Sequence, residues 1–138
     1  GRELREDELE PLTWSIVRNG RSVSGVQAMR GMRWLQRLVR EVAAFFEGVD
    51  VYLTPVTATP PPRIGHIDPL DPDPSQLNQR QAEAFPFTAP FNMTGQPAMS
   101  VPFGTGAEGL PIGIQVLAPT LGEPTMFRAA AVLEGAAP

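Results

Sequence analysis

Residues 91–134 read FNMTGQPAMSVPFGTGAEGLPIGIQVLAPTLGEPTMFRAAAVLE, and the fold follows from this stretch. Residues 91–94 with Gly95 read as a short helical turn ending on its glycine, and Pro97 forbids any continuation. Residues 98–103 (AMSVPF) alternate enough for a strand, and residues 112–117 (IGIQVL) give a second. Between them GTGAEGLP supplies turn glycines, so the two strands are expected to pair as a hairpin with a somewhat long loop. Gly113, inside the second strand, marks a place where another backbone or side chain comes close. Gly122 precedes a final helix in which Pro124 fits the first turn. Met126, Phe127, Ala130 and Leu133 form the apolar side of this helix, and Gly135 ends it.

Upstream the pattern changes. Residues 55–90 hold nine of the sixteen prolines. Proline fixes φ and removes a donor, so most of this segment is barred from helix interior and central sheet, with 75–84 (SQLNQRQAEA) the one stretch suited to a short polar helix. A loop this long in a compact domain is a lid or pocket wall as readily as a linker. Its DPLDPDP run lacks the glycine and distal glutamate of a calcium loop. Asp68, Asp71 and Asp73 are therefore read as turn initiators. His66 has no partner that the sequence identifies, and it reads as a loop residue rather than a general base.

Before this loop, 49–54 (VDVYLT) has the content of a buried strand stopped by Pro55. Ser24 is an N-cap candidate for a long helix reaching Gly48, where a left-handed residue is expected. Ala28, Met32, Leu35, Val39, Val42 and Phe46 share one face of that helix. Arg30, Arg33, Arg37 and Arg40 occupy the other, and the acidic total charge favours a solvated face over a phosphate track. Leu4, Leu9 and Leu12 are loosely spaced for a first helix that Asn19 and Gly20 break. The chain opens without methionine in a charged run, which reads as a cut point or a tag junction. The expected organisation is therefore a helical part (1–48), a strand plus Pro-rich loop (49–90), and a turn, β-hairpin and C-terminal helix (91–138).

Composition narrows the function classes. The chain has 138 residues, 42% of them hydrophobic. A domain of about that size buries roughly 68% of its unfolded surface, so a real core is possible. A net charge of −4 argues against nucleic-acid and anionic-membrane partners. Without cysteine, and with His66 alone, the usual zinc sites cannot be built, and no metal or cofactor is expected. No apolar run approaches the ~20 residues of a membrane span, and the N-terminus lacks the apolar core of a signal peptide, so a cytoplasmic location is expected.

Four punctuated blocks then fall in order: Asp50, Thr54 and Pro55; Asn92, Thr94, Gly95, Pro97, Ala98, Ser100 and Pro102; Gly109, Leu110, Pro111, Gly113 and Gln115; Gly122 and Glu123. Across about residues 45–135 these resemble the C-terminal region of the amidase-signature hydrolases, although a terminal Trp/Pro-containing tail common in that family is missing. The resemblance implies an α/β fold, the C-terminal portion of a mixed twisted sheet with flanking helices, including the long helix, about three strands and the C-terminal helix.

The resemblance also implies amide hydrolysis by a Ser-Ser-Lys mechanism whose serines lie in a Gly/Ser-rich loop. This chain has no lysine and no such loop, so no catalytic residue is expected within it. Ser100 lacks an identifiable base and reads as a strand residue. The expected partners are an upstream amidase segment carrying the catalytic residues and, in the full-length enzyme, a small-molecule amide. Members of the family act on aliphatic, aryl, fatty, cyclic oligomeric (aminohexanoate cyclic dimer among them) and aminoacyl-tRNA amides. Substrate-pocket lining is expected from Thr54, Pro55, Thr57, Phe91 and Asn92, and an architectural role from Gly95, Pro97, Gly109, Gly113 and Gln115. Strands that lack neighbours would make the chain self-associate. The alternative is a stand-alone, non-catalytic binding or interaction domain derived from an amidase.

Overall fold

In the computed structural model, which describes residues 2–137, the hairpin forms the centre of the molecule. Strand β2 (Ala98–Thr105) pairs antiparallel with β3 (Pro111–Leu117), setting Ala98 opposite Leu117 and Ser100 opposite Gln115. A short strand β1 (Tyr52–Pro55) pairs with the other edge of β3, giving a three-stranded sheet in the order β1-β3-β2. A register shift between Pro102 and Thr105 interrupts the ladder where the hairpin runs into its glycine loop.

Because side chains alternate across a strand, the register divides the sheet into two faces. Val101 and Val116 lie on one face. Helix α5 (Glu123–Ala136) packs there through Met126 and Ala130, and Ala118 completes the buried cluster. Val51, Met99, Ala129 and Leu133 close its edges. The other face carries Thr54, Gln115 and Ser100 in one cross-strand row.

The remaining helical segments pack on one another more than on the sheet. A short 3-10 turn (Glu6–Glu8) precedes α1 (Pro11–Ser22). Helix α2 (Gly25–Phe45) begins at Ser24, whose Oγ accepts the Gln27 N–H while the Gln27 side chain accepts from the Ser24 N–H. Helix α3 (Pro74–Ala84) stands in the Pro-rich stretch, where Asp73 caps it and Leu77 is its fully buried anchor. Helix α4 (Ala89–Thr94) is a turn and a half that ends at Gly95, whose φ of 78° is the left-handed conformation glycine accepts without strain.

The structure corrects the sequence reading at five places. Asn19 and Gly20 do not break α1, which continues to Ser22. The Ser22 hydroxyl bonds the Asn19 carbonyl, and Arg21 lies over the Trp14 ring while bonding the Leu4 carbonyl, contacts that offset the poor local propensity. Gly48 is not left-handed; α2 instead tightens into a 3-10 turn over Phe46–Gly48. The strand at 49–54 is displaced to Tyr52–Pro55 and is buried only at Thr54: Tyr52 and Leu53 are exposed because β1 is an edge, where a proline is tolerated.

The other two corrections concern helix faces. The apolar face of α2 is covered only in its C-terminal half, where Leu35, Val39 and Val42 are half-buried and Phe46 is buried, whereas Ala28 is exposed and Met32 is 53% exposed. On α5, Phe127 points outward at 58% exposure while Ala129 takes its place inward, and the helix runs one residue past Gly135.

Candidate functional site

The polar row on the second sheet face begins the site. Gln115 is buried at the centre of β3, and its Nε2 donates to Thr54 Oγ1 at 2.9 Å and to the Phe87 carbonyl at 3.2 Å. Thr54 Oγ1 in turn donates to the Pro55 carbonyl at 3.0 Å. One amide therefore ties together an edge strand, the central strand and the segment that enters α4. Buried polar groups need such partners, and the second contact ties the chain at Phe87 to the central strand. At the end of α4, Thr94 Oγ1 donates to the Pro90 carbonyl at 3.0 Å and also contacts the Gln96 side chain, so the turn before β2 is pinned from within.

The five residues expected to line a pocket do not converge on one cavity. Pro55 and Thr57 border a recess of about 350 Å³ whose opposite wall is the hairpin loop, with Leu110 and Ile112. Phe91 borders a separate shallow recess of about 310 Å³ with Val42, Phe45 and Tyr52. Phe45, Tyr52 and Phe91 form an aromatic chain there, with ring centroids 5.3 and 6.3 Å apart. Thr54 is buried beneath the sheet surface, and Asn92 is exposed at the end of α4. The side chain of Asn92 has no hydrogen-bond partner among the described residues.

The architectural residues sit at turns and close approaches. A Cβ at Gly113 would lie 3.0 Å from Val56 Cγ2 and 3.1 Å from Ser100 Oγ, so the bare backbone lets the segment after β1 pack directly on the hairpin. Gly109 has a positive φ in the hairpin loop. The Pro97 carbonyl accepts the Ala118 N–H at 3.2 Å, closing the end of the sheet.

The other candidates resolve as structure. Asp68, Asp71 and Asp73 each accept a backbone N–H two residues ahead, at 2.9, 2.9 and 3.0 Å. These are Asx turns. Arg80 ties the loop to α3, pairing with Asp71 Oδ2 at 3.0 Å and bonding the His66 carbonyl. His66 lies exposed in its loop, and Ser100 is exposed on β2. No group of three or more His, Cys, Asp or Glu side chains suited to a metal gathers among the described residues, and no helix there is long and apolar enough to cross a membrane.

Sequence reasoning placed Gln115 among the motif residues without its partners, because the bond to Phe87 joins positions far apart in the chain. It missed the Leu110 and Ile112 side of the larger recess altogether. The only available signal was the pair of apolar residues flanking Pro111 in an otherwise glycine-rich loop.

The family model described as "Amidase" matches residues 2–127. The whole chain is 33% identical over 144 residues to the 6-aminohexanoate-cyclic-dimer hydrolase of Paenarthrobacter ureafaciens, of which it spans 29%. It is likewise 34% identical over 138 residues to a putative amidase of Mycobacterium leprae, again spanning 29% of that protein. Among solved structures, a 6-aminohexanoate cyclic dimer hydrolase complexed with substrate matches all of this chain over 30% of its own, with a TM-score of 0.80 and 32% identity.

Proposed function

The chain belongs to the amidase family, and from that premise we propose that it is the C-terminal part of an amidase, one piece of a larger catalytic domain, supplying sheet core and a wall of the substrate channel. The observation that carries this reading is the match of the entire chain, at 33% identity, to only 29% of a cyclic-amide hydrolase. The chain also has no lysine and no Gly/Ser-rich loop, the elements from which the family builds its base and nucleophile.

The reacting groups belong in this reading to a preceding segment, the chain's natural partner. There a serine hydroxyl attacks the amide carbonyl, passing its proton through a second serine to lysine, and the amine leaves as that proton returns to nitrogen. Backbone amides hold the oxyanion. In this reading Pro55 and Thr57, at the hairpin recess, and Phe91 and Asn92, at α4, line the channel, and buried Thr54, expected among them from the sequence, supports them through its bond from Gln115, which also holds Phe87. The substrate is a small linear or cyclic amide, and the enzyme works in the cytoplasm. Taken alone, the chain self-associates.

Two measurements test the reading. Residues 1–138, purified, are expected to release no product from a simple aryl amide. The reading frame extended upstream is expected to encode a lysine and a Gly-Gly-Ser-Ser-Gly-like loop, and its product to hydrolyse amides. An upstream sequence without those residues would sink the proposal in favour of a stand-alone binding domain.

A further inference from the structure

The larger recess is bounded by two loops that the local structure makes stiff. On one side Pro55, Pro60 and Pro61 have fixed φ, the Val56 N–H bonds the Gly113 carbonyl at 3.1 Å, and the Ala58 N–H bonds the Ala84 carbonyl at 3.0 Å. On the other, the hairpin loop closes on itself through Gly106 N–H to the Leu110 carbonyl at 2.8 Å and Gly109 N–H to the Gly106 carbonyl at 3.0 Å. Leu110 and Ile112 are 42% and 48% exposed, so the hairpin wall presents apolar surface across the gap to the proline rings of the other. Glu108 is the one ionisable residue among those bordering it.

A preformed, mostly apolar concavity with a few polar groups, here the Thr57 and Thr59 hydroxyls and the Glu108 carboxylate, is the usual form of a small-molecule site. We propose that the recess between the 55–61 loop and the 106–113 hairpin loop binds a compact apolar group that carries no negative charge, such as the hydrocarbon part of an amide or amine. The inference rests on the reading of Pro55 and Thr57 as channel lining, and adds the second wall and the ligand chemistry. An apolar group gains by leaving water against Leu110, Ile112 and the proline rings. An anionic end would lose hydration there and meet Glu108, while no cation borders the recess to offset either cost.

Three six-carbon probes that differ only in end group test this on the purified chain: hexanamide, hexylammonium and hexanoate, titrated against isotope-labelled protein by amide chemical shifts. Hexanamide and hexylammonium are expected to move the Ala58, Leu110, Ile112 and Gly113 amides with dissociation constants on the order of 1–10 mM, given the small size of the ligands. Hexanoate is expected to bind about 5-fold more weakly, as one carboxylate and lost hydration allow. Glu108→Gln should narrow that gap by about half or more. Leu110→Asp, at an exposed position that tolerates the change, should weaken hexanamide at least about 5-fold while distant amides keep their shifts. Equal binding of hexanoate and hexanamide, shifts confined to other surfaces, or an unaffected Leu110→Asp variant would each overturn the proposal. Binding is read without turnover, so these outcomes leave the amidase reading to its own upstream test.

Discussion

At the scale of single residues, Gln115 carries the most structural consequence. Its amide spans β1, β3 and the approach to α4 through two bonds, at 2.9 and 3.2 Å. Gln115→Leu preserves most of the volume but removes the donor to the Phe87 carbonyl and to Thr54 Oγ1, which keeps only its own bond to the Pro55 carbonyl, so a loss of about 1–3 kcal/mol is expected. Urea unfolding reads it, and a midpoint unchanged from the parent would show that water replaces the amide without cost. Thr54 and Thr57 divide differently: Thr54 is buried in this network, while Thr57 borders the recess. In the full-length enzyme, Thr57→Ala should change relative rates over an amide panel more than the rate on the best substrate, and Thr54→Ala should also lower stability. Identical rate ratios in both variants would remove the channel-wall role.

At the scale of elements, α2 and α3 show how a helix is held. Residues 24–34 of α2 and its cap are exposed throughout, and burial begins only at Leu35. A helix segment with no tertiary cover depends on its own propensity and on the Ser24 cap, which is worth about 1 kcal/mol. Amide exchange should therefore be markedly faster in 28–34 than in 38–45, and faster still in Ser24→Ala. Uniform protection along the helix would show that something covers the first half.

Helix α3 instead has a capping carboxylate, that of Asp73. The Ser75 hydroxyl, then the Gln76 amide and the Ser75 N–H, bond it and hold its carboxyl below the ordinary carboxylate value. Because the folded value is the lower one, the stabilisation is present above the unfolded titration near pH 4 and is lost as pH falls through the folded value. The Ser75 and Gln76 amide signals should move with acid only below the ordinary carboxylate range, and Asp73→Asn should flatten that response.

At the scale of the whole molecule, surface that would normally be covered lies open. Strands β1 and β2 each pair with β3 alone, so each leaves one edge without a strand partner among the described residues. Met29, Met32 and Trp34 are exposed on α2, as are Val132 and Phe127 on α5. Open edges and apolar helix faces drive association. Sedimentation at micromolar concentration should show self-association together with binding of a hydrophobic dye, and Met32→Lys should shift the equilibrium toward monomer if the α2 face takes part. A dye-silent monomer would instead favour a domain complete in itself.

The sequence by itself determined the elements whose signals are local. The hairpin, the turn ending at Gly95, the Ser24 cap, the short helix in the Pro-rich stretch and the close approach at Gly113 all follow from where proline, glycine and capping side chains stand. These residues restrict the backbone within a few positions whatever surrounds them. Such punctuation also made the family legible, since it occurs in order along the chain. Tertiary structure alone decided the rest. The strand near Val49 moved to Tyr52–Pro55 because pairing with β3, not composition, sets its register. Phe127 turned outward because the inner surface of α5 is chosen by what Val101 and Val116 present to it. Gln115 found Thr54 and Phe87, and the 55–61 loop found Leu110 and Ile112, through contacts between distant segments. Such contacts form only when the chain closes long loops, and periodicity along the sequence carries no record of which segments will meet.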